Sequence, residues 1–232
     1  MNKHLLKCLA LPLALASFCC PSLAETQQNG KFWSGIFLTG PLTGSQVLQY
    51  YLDTQLRLVS RSDTFDQAVA NAALGYQYSS KFSFWLGGSW VSTNDPIEDV
   101  AHEYRLWQQI SSQGFSTKAF DIATRTRLEE RRDTDEPQWA LRLRQKITLT
   151  KPLKSFKNKS LVAAEEIFFN LTNPEWITNK VVDQNRISLG IAIPLSKQTI
   201  LEWGYLNQLL FRNPNEMYHG LYINLRINTL TK

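Results

Sequence analysis

The chain has 232 residues, with 25 Lys and Arg against 20 Asp and Glu and a formal charge of +5. This length accommodates one domain, and so mild a charge balance does not indicate a nucleic-acid partner. All three cysteines lie within the first 20 residues, which excludes disulfides and cysteine-bound metals from the rest of the chain.

Residues 1–24 have the pattern of a secretory signal peptide. Lys3 and Lys7 precede a short apolar run at 8–18, and Ser22 and Ala24 occupy the small-residue positions of a cleavage site before Glu25. The run is shorter than the roughly 20 apolar residues of a spanning helix. We therefore expect cleavage, which would leave residues 25–232 as a single domain with a formal charge of +3, since two cations and no acid are removed.

The clearest structural signal comes from residues 120–149. Charged side chains recur there at every second residue, with apolar ones taking the alternate positions in the second half. Strand side chains alternate faces with period two, whereas a helix would scatter these charges around its circumference. The segment therefore predicts a β-hairpin with one charged face.

Similar alternation continues along the chain. Strands are predicted at 47–59, 68–78, 82–91, 100–110, 161–171, 183–195, 200–211 and 221–227, and the segment 32–39 is ambiguous because it has apolar residues on both faces. No helix of ordinary length interrupts the series. It predicts an all-β, antiparallel up-and-down barrel of about ten to twelve strands.

The connections alternate between tight turns (79–81, 196–198) and longer, proline-containing loops (94–99, 133–138, 173–180, 213–216). Bacterial outer-membrane barrels have short periplasmic turns and longer outside loops. Counting back from the C-terminus gives ten strands with both ends on the periplasmic side. Segment 32–39 then lies outside the wall or makes the count odd, against the even number usual in these proteins.

Alternation alone does not decide which face meets water. A secreted soluble β-barrel binding protein would turn its apolar face inward, and a membrane barrel would turn it toward lipid. The second interpretation is favoured by a polar face of Arg, Gln, Asn and small residues, and by aromatics near strand ends. These aromatics are Tyr76, Tyr78, Phe82, Phe84, Trp90, Trp139, Phe211 and Tyr218. Thr124, Thr126 and Gln145 would face lipid and argue against it.

We therefore expect a transmembrane barrel in the outer membrane of a Gram-negative-type bacterium, in contact with its lipid. Its lumen-facing charged ladder would comprise Asp53, Arg57, Glu103, Arg105, Arg125, Arg127, Glu129, Arg131, Arg142, Arg144, Lys146, Glu166, Arg186, Glu202 and Arg226. The ladder is either a structural filling or an anion-preferring pore or pocket for a small anionic solute. No cofactor or metal site is predicted.

A lipid-modifying outer-membrane enzyme is the alternative of a different class. After residue 24 the only histidines are His102 and His219, which both fall near long loops and could serve as a base. The chain has no G-x-S-x-G motif and no metal-spaced grouping. An enzyme is therefore less favoured than a non-enzymatic barrel, and no catalytic residue is assigned.

Four stretches together resemble a known family. They are HEYRLWQQ at 102–109, RTRLEERR at 125–132, QWALRLRQK at 138–146 and DQNRISLGI at 183–191. In combination they resemble the bacterial family catalogued as domain of unknown function 2490 (DUF2490). The resemblance implies an outer-membrane β-barrel and implies no particular activity, substrate or catalytic residue.

Overall fold

The computed structural model describes residues 26–42, 45–59, 64–94, 100–153, 155–156 and 158–230. The predicted signal peptide at 1–24 lies outside the described residues, as does most of the predicted loop 94–99. In the described residues no helix is long and apolar enough to cross a membrane.

Eleven strands make up the described chain. They are β1 (Thr26–Leu42), β2 (Ser45–Val59), β3 (Thr64–Gln77), β4 (Phe82–Thr93), β5 (Ala101–Ser116), β6 (Asp121–Asp133), β7 (Ala140–Pro152), β8 (Ser160–Asn170), β9 (Val182–Pro194), β10 (Thr199–Leu210) and β11 (Asn215–Asn228). Each strand from β2 to β10 pairs with its chain neighbours, and β1 pairs with β11 to close the barrel. Closure leaves no unpaired sheet edge among the eleven described strands. The predicted all-β closed barrel of ten to twelve strands is confirmed.

Strand β1 corrects two details of the prediction. The ambiguous segment 32–39 is part of the wall, and it pairs antiparallel with β2 but parallel with β11. Because β1 and β11 run in the same direction, Thr26 lies at the rim where β11 begins, and Asn228 lies at the opposite rim. The expectation of an antiparallel order is therefore wrong at this one seam. The ten strands from β2 to β11 begin and end at one rim, as predicted, and the eleventh strand, β1, places Thr26 at the opposite rim.

We name the two rims by their connections. The loop rim holds the start of β1 and the connections that follow β2, β4, β6, β8 and β10. The turn rim holds the connections that follow β1, β3, β5, β7 and β9, together with the end of β11.

The pleat sends polar side chains inward and apolar ones outward. On β2, Leu52 and Leu56 are about half exposed, whereas Asp53 and Arg57, which directly follow them in the chain, are buried. The ambiguity of β1 has the same origin, since Trp33 borders the interior while Phe32 and Ile36 are exposed. Strand alternation thus produces a wall with charged side chains on its inner face and apolar side chains on its outer face.

Interior glycines make room for aromatic rings. The β carbon that an alanine would have at Gly87 would collide with the ring of Trp107, and one at Gly75 would collide with Trp85. The same holds for Gly190 and the ring of Tyr222. Glycine in a strand often marks such a close approach, and here it lets large rings fill part of a narrow bore.

Candidate functional site

The interior contains a cavity of about 1260 Å³. Every member of the predicted charged ladder lines it except Glu129. Glu129 is 0% exposed and lies beneath the guanidinium groups of Arg142 and Arg144. The cavity is also lined by aromatic and amide side chains from β1, β2, β8, β9 and β10.

Glu129 is the centre of the most deeply buried ion cluster. Arg142 donates from Nε and Nη2 to Glu129 Oε2 at 2.9 and 2.6 Å, and Arg144 Nη1 donates to Oε1 at 2.6 Å. Arg127 approaches the same carboxylate at 3.9 Å. The planar guanidinium group can donate two hydrogen bonds to one carboxylate. Each of these contacts lowers the free-energy cost of burying the negative charge of Glu129.

Glu166 extends this cluster along the wall. Arg144 Nε lies 2.9 Å from Glu166 Oε1, and Arg125 Nη2 binds the same oxygen. Arg144 therefore bridges Glu129 and Glu166. Because Arg125 and Arg144 both bind Glu166, this acid is already satisfied by two cations.

Glu103 forms a second centre toward the loop rim. Arg105 donates to its two carboxylate oxygens at 2.7 and 2.8 Å, and Arg131 Nη2 donates at 3.1 Å. Arg131 also lies 5.2 Å from the ring centroid of Trp176, whose loop follows β8. That loop is held to a neighbouring one because Trp176 Nε1 donates to the carbonyl of Gln138 at 3.0 Å. The loop after β8 thus borders one mouth of the cavity.

The remaining ladder acids differ in their partners. Glu202 accepts from Arg226 Nε at 3.0 Å and from the Tyr222 hydroxyl at 3.1 Å. Asp53 accepts from Asn71 and Gln55 at 2.8 and 2.9 Å, and no described cation lies within 4.0 Å of it. Its charge is therefore solvated by amides instead of being neutralised by an arginine.

Three ladder cations make no ion pair with a described acid: Arg57, Lys146 and Arg186. In the strand register Lys146 and Arg186 both lie directly opposite Glu166, which Arg125 and Arg144 already occupy. Arg57 and Arg186 instead contact glutamine oxygens and aromatic rings. Arg57 and Arg186 therefore have neutral hydrogen-bond partners, unlike the arginines that bind Glu129 and Glu166.

Asp183 is an interior acid that the strand pattern of the sequence did not predict. It forms ion pairs with Arg142, whose Nη1 lies 3.4 Å from Asp183 Oδ2, and with Arg212, whose Nη1 lies 2.9 Å from Oδ1. Its inward direction depends on a register shift between Phe168 and Phe169, which lets Asp183 and Gln184 both be buried. Such a bulge leaves no mark in the alternation of one strand read alone.

Two aromatic residues also face the interior although the sequence did not predict it. Tyr218, predicted for an aromatic girdle, points inward, where its hydroxyl donates to Glu216 at 2.6 Å and its ring lies 3.9 Å from Lys31 Nζ. Trp33 was missed because its segment has apolar residues on both faces. In the structure Trp33 lies directly opposite Arg57 on β2, a pairing that the sequence of β1 by itself does not reveal.

The two histidines are not brought together. His102 on β5 stacks against Trp90 with ring centroids 5.6 Å apart, and His219 on β11 hydrogen bonds to the hydroxyl of Tyr205. Both lie on the outer face. In the part of the chain that the structure describes, neither forms an ion pair with a carboxylate, and no His, Cys, Asp or Glu group could hold a metal ion. This placement offers no acid–base constellation.

Residues 30–219 match the family described as "Protein of unknown function (DUF2490)". The chain belongs to this family. The resemblance inferred from the four stretches is thereby confirmed.

Two further comparisons describe what the DUF2490 chain is similar to. An uncharacterized protein of Methylorubrum extorquens is 27% identical over 221 residues, which cover 92% of this chain and 96% of that protein. Among solved structures, the siderophore receptor PirA of Pseudomonas aeruginosa aligns with a TM-score of 0.31 and 14% identity. That alignment covers 80% of this chain and 35% of the receptor.

Proposed function

We propose that this DUF2490 protein is an outer-membrane β-barrel whose interior is an anion-preferring passage for small solutes. The observation that carries the proposal is the charge of the cavity wall. Twelve basic and seven acidic side chains line the cavity, so cations remain in excess even when buried Glu129 is counted with the acids. Rings of arginine and lysine favour anions over cations inside a narrow pore.

The outer face supports a membrane location. Large apolar side chains stand out from the middle of the wall, among them Leu52, Leu86 and Leu106, which are 46%, 63% and 53% exposed. Soluble monomers rarely expose contiguous apolar patches of this kind, whereas a band of them is the lipid-facing surface of a membrane barrel.

Aromatic side chains at both rims support the same location. Exposed aromatics at the turn rim include Tyr76, Tyr78, Phe82 and Phe84, and those near the loop rim include Trp90, Tyr104 and Trp139. Tyrosine and tryptophan favour the interface between lipid and water, because their rings are apolar and their polar atoms reach the headgroups.

The polar residues that argued against a membrane are partly paired. Thr126 and Gln145 lie opposite each other on β6 and β7, and the threonine hydroxyl donates to the amide oxygen at 2.6 Å. Their polar atoms therefore satisfy each other in part instead of facing hydrocarbon alone, which reduces the cost of burial in lipid.

The passage is tested by conductance. Residues 25–232 are refolded in detergent, inserted into a planar lipid bilayer and studied under a gradient of KCl. We expect the reversal potential to shift toward the equilibrium potential of chloride, as it does for a pore that passes anions more readily than cations. A silent bilayer under conditions where a known porin conducts, or a reversal potential on the potassium side, would contradict the passage.

Location is tested separately. Outer membranes are isolated from the native bacterium and the protein is run on a gel with and without heating. We expect it in the outer-membrane fraction with a mobility that changes on heating, as for a folded barrel. A soluble monomer in detergent-free buffer would support the secreted binding-protein alternative.

A further inference from the structure

We propose that Arg57, Arg186 and Trp33 form a binding site for a doubly charged oxyanion of the phosphate type. The site deepens the proposed anion preference and rests on it. It lies on the cavity wall where β1, β2 and β9 contribute side chains.

Trp33 brings the two arginines together. The guanidinium carbon of Arg57 lies 4.2 Å from the centroid of the Trp33 ring, and that of Arg186 lies 4.9 Å from it. Trp33 and Arg57 are directly paired in the register of β1 and β2, whereas Arg186 reaches the ring from β9. Both guanidinium groups line the cavity and contact the same indole, which places two positive charges at one part of the wall.

The arginines are oriented by neutral groups. Arg57 donates to Gln55 at 3.1 Å and also to Gln67, whose own amide donates to Thr93 at 2.7 Å. Arg186 Nε donates to Gln184 at 3.1 Å, and Gln208 donates to the same amide oxygen at 2.7 Å. Amide oxygens fix the direction of a guanidinium group but do not cancel its charge. The contrast with Arg142 and Arg144, which bind carboxylates, is what marks this pair.

Two further donors at the site lack acceptors. Nε of Arg57 and Nε1 of Trp33 are buried, and neither has a hydrogen-bond partner among the described residues. The Arg57 side chain itself is only 9% exposed. A buried N–H without an acceptor costs free energy, and such groups are uncommon in native structures. Both N–H groups are closed off from the cavity, so an oxyanion reaches them only when the neighbouring side chains shift, and it then supplies the acceptors that they lack.

The donor set defines the class of ligand. Two guanidinium groups and an indole N–H call for several acceptor oxygens and more than one negative charge, which phosphate and phosphate monoesters offer and chloride or acetate does not. The phosphate could be a free ion or the headgroup of a lipid, and the shared chemistry is the phosphate dianion.

The experiment measures binding and does not require conductance. Residues 25–232 are refolded in a zwitterionic detergent free of phosphate, and inorganic phosphate is titrated by isothermal calorimetry. Each variant is first checked for heat-dependent gel mobility and for its unfolding midpoint. Arg57→Gln and Arg186→Gln remove one charge each, and Trp33→Phe keeps a ring but removes the N–H.

We expect the wild type to bind phosphate and each arginine variant to weaken binding by about tenfold, as for the loss of one charge-assisted hydrogen bond. Trp33→Phe should weaken binding less, by a few-fold. Arg132→Gln is the matched control, because Arg132 is exposed on the outer side of β6, and it should leave the affinity unchanged. Equal affinities in wild type, Arg57→Gln and Arg186→Gln would overturn the site.

Competition on the wild type needs no variant. Chloride or acetate, added at the same concentration as phosphate, should displace little bound phosphate. If either monovalent anion displaced phosphate at equal concentration, the preference for a dianion would be overturned. Short-chain phosphatidic acid binding more tightly than phosphate indicates a headgroup as source, and weaker binding indicates the free ion. A barrel that conducts chloride but does not bind phosphate would refute this site and leave the proposed passage standing.

Discussion

Gly87 and Trp107 occupy directly paired positions on β4 and β5, and the indole covers the bare α carbon of the glycine. Trp107 is 1% exposed, donates from Nε1 to Ser89 at 2.9 Å and carries the guanidinium of Arg127 3.7 Å from its ring centroid. The ring is thus enclosed by the wall on one side and by a cation on the other. Such enclosure makes the smallest side chain necessary at position 87.

Gly87→Val should therefore destabilise the barrel by about 1–3 kcal/mol, as for overpacking of a filled interior. Gly88→Val is its matched control, because a β carbon at Gly88 would have its nearest neighbour at an ordinary 3.7 Å. Urea unfolding in detergent micelles, followed by tryptophan fluorescence, compares the two. Equal losses in both variants would show that the indole can move aside.

Glu129→Gln should cost more than most substitutions in the interior. It removes the carboxylate that binds Arg142 and Arg144 and leaves their charges buried without it, which typically costs about 3–5 kcal/mol. Glu136→Gln, at an exposed loop position, is the control and should change stability little. The unfolding midpoint in urea is the measurement, and coincident midpoints would contradict the importance of this cluster.

Leu52→Arg tests which face meets lipid. Leu52 is the central residue of β2 and points outward, so a charge there would sit near the middle of the bilayer and cost about 2–4 kcal/mol. Leu195→Arg, at the exposed turn after β9, should cost close to nothing. Unfolding is followed in lipid vesicles. A barrel whose outer face meets water would tolerate both changes equally.

The parallel seam is tested by a disulfide. Ile36 and Leu225 are paired across β1 and β11, so cysteines at both positions in residues 25–232 should join under mild oxidation. The control pair, Ile36→Cys with Ile223→Cys, is two residues out of register and should join poorly. A maleimide-polyethylene glycol gel shift counts the remaining free thiols. Better joining in the control would place β1 in another register.

The alternation of residues was sufficient for the fold class and for the direction of most charged side chains. On β7, Arg142, Arg144 and Lys146 all line the cavity or its ion clusters because period-two geometry is a property of the strand alone. Local pattern could not reveal Asp183, whose inward turn comes from a bulge relative to β8. It also could not place β1, since parallel pairing with β11 joins the two ends of the described chain.

The residues therefore determined an all-β barrel with a charged face, since those features follow from neighbours along the chain. The tertiary structure decided which charges cancel. Lys146 and Arg186 lie opposite Glu166 in register, yet Arg125 from β6 and Arg144 from β7 bind that acid. Which of these four cations binds Glu166 depends on how the strands are placed around the closed wall and on how far long side chains reach across the narrow interior. The residue order of a single strand determines neither.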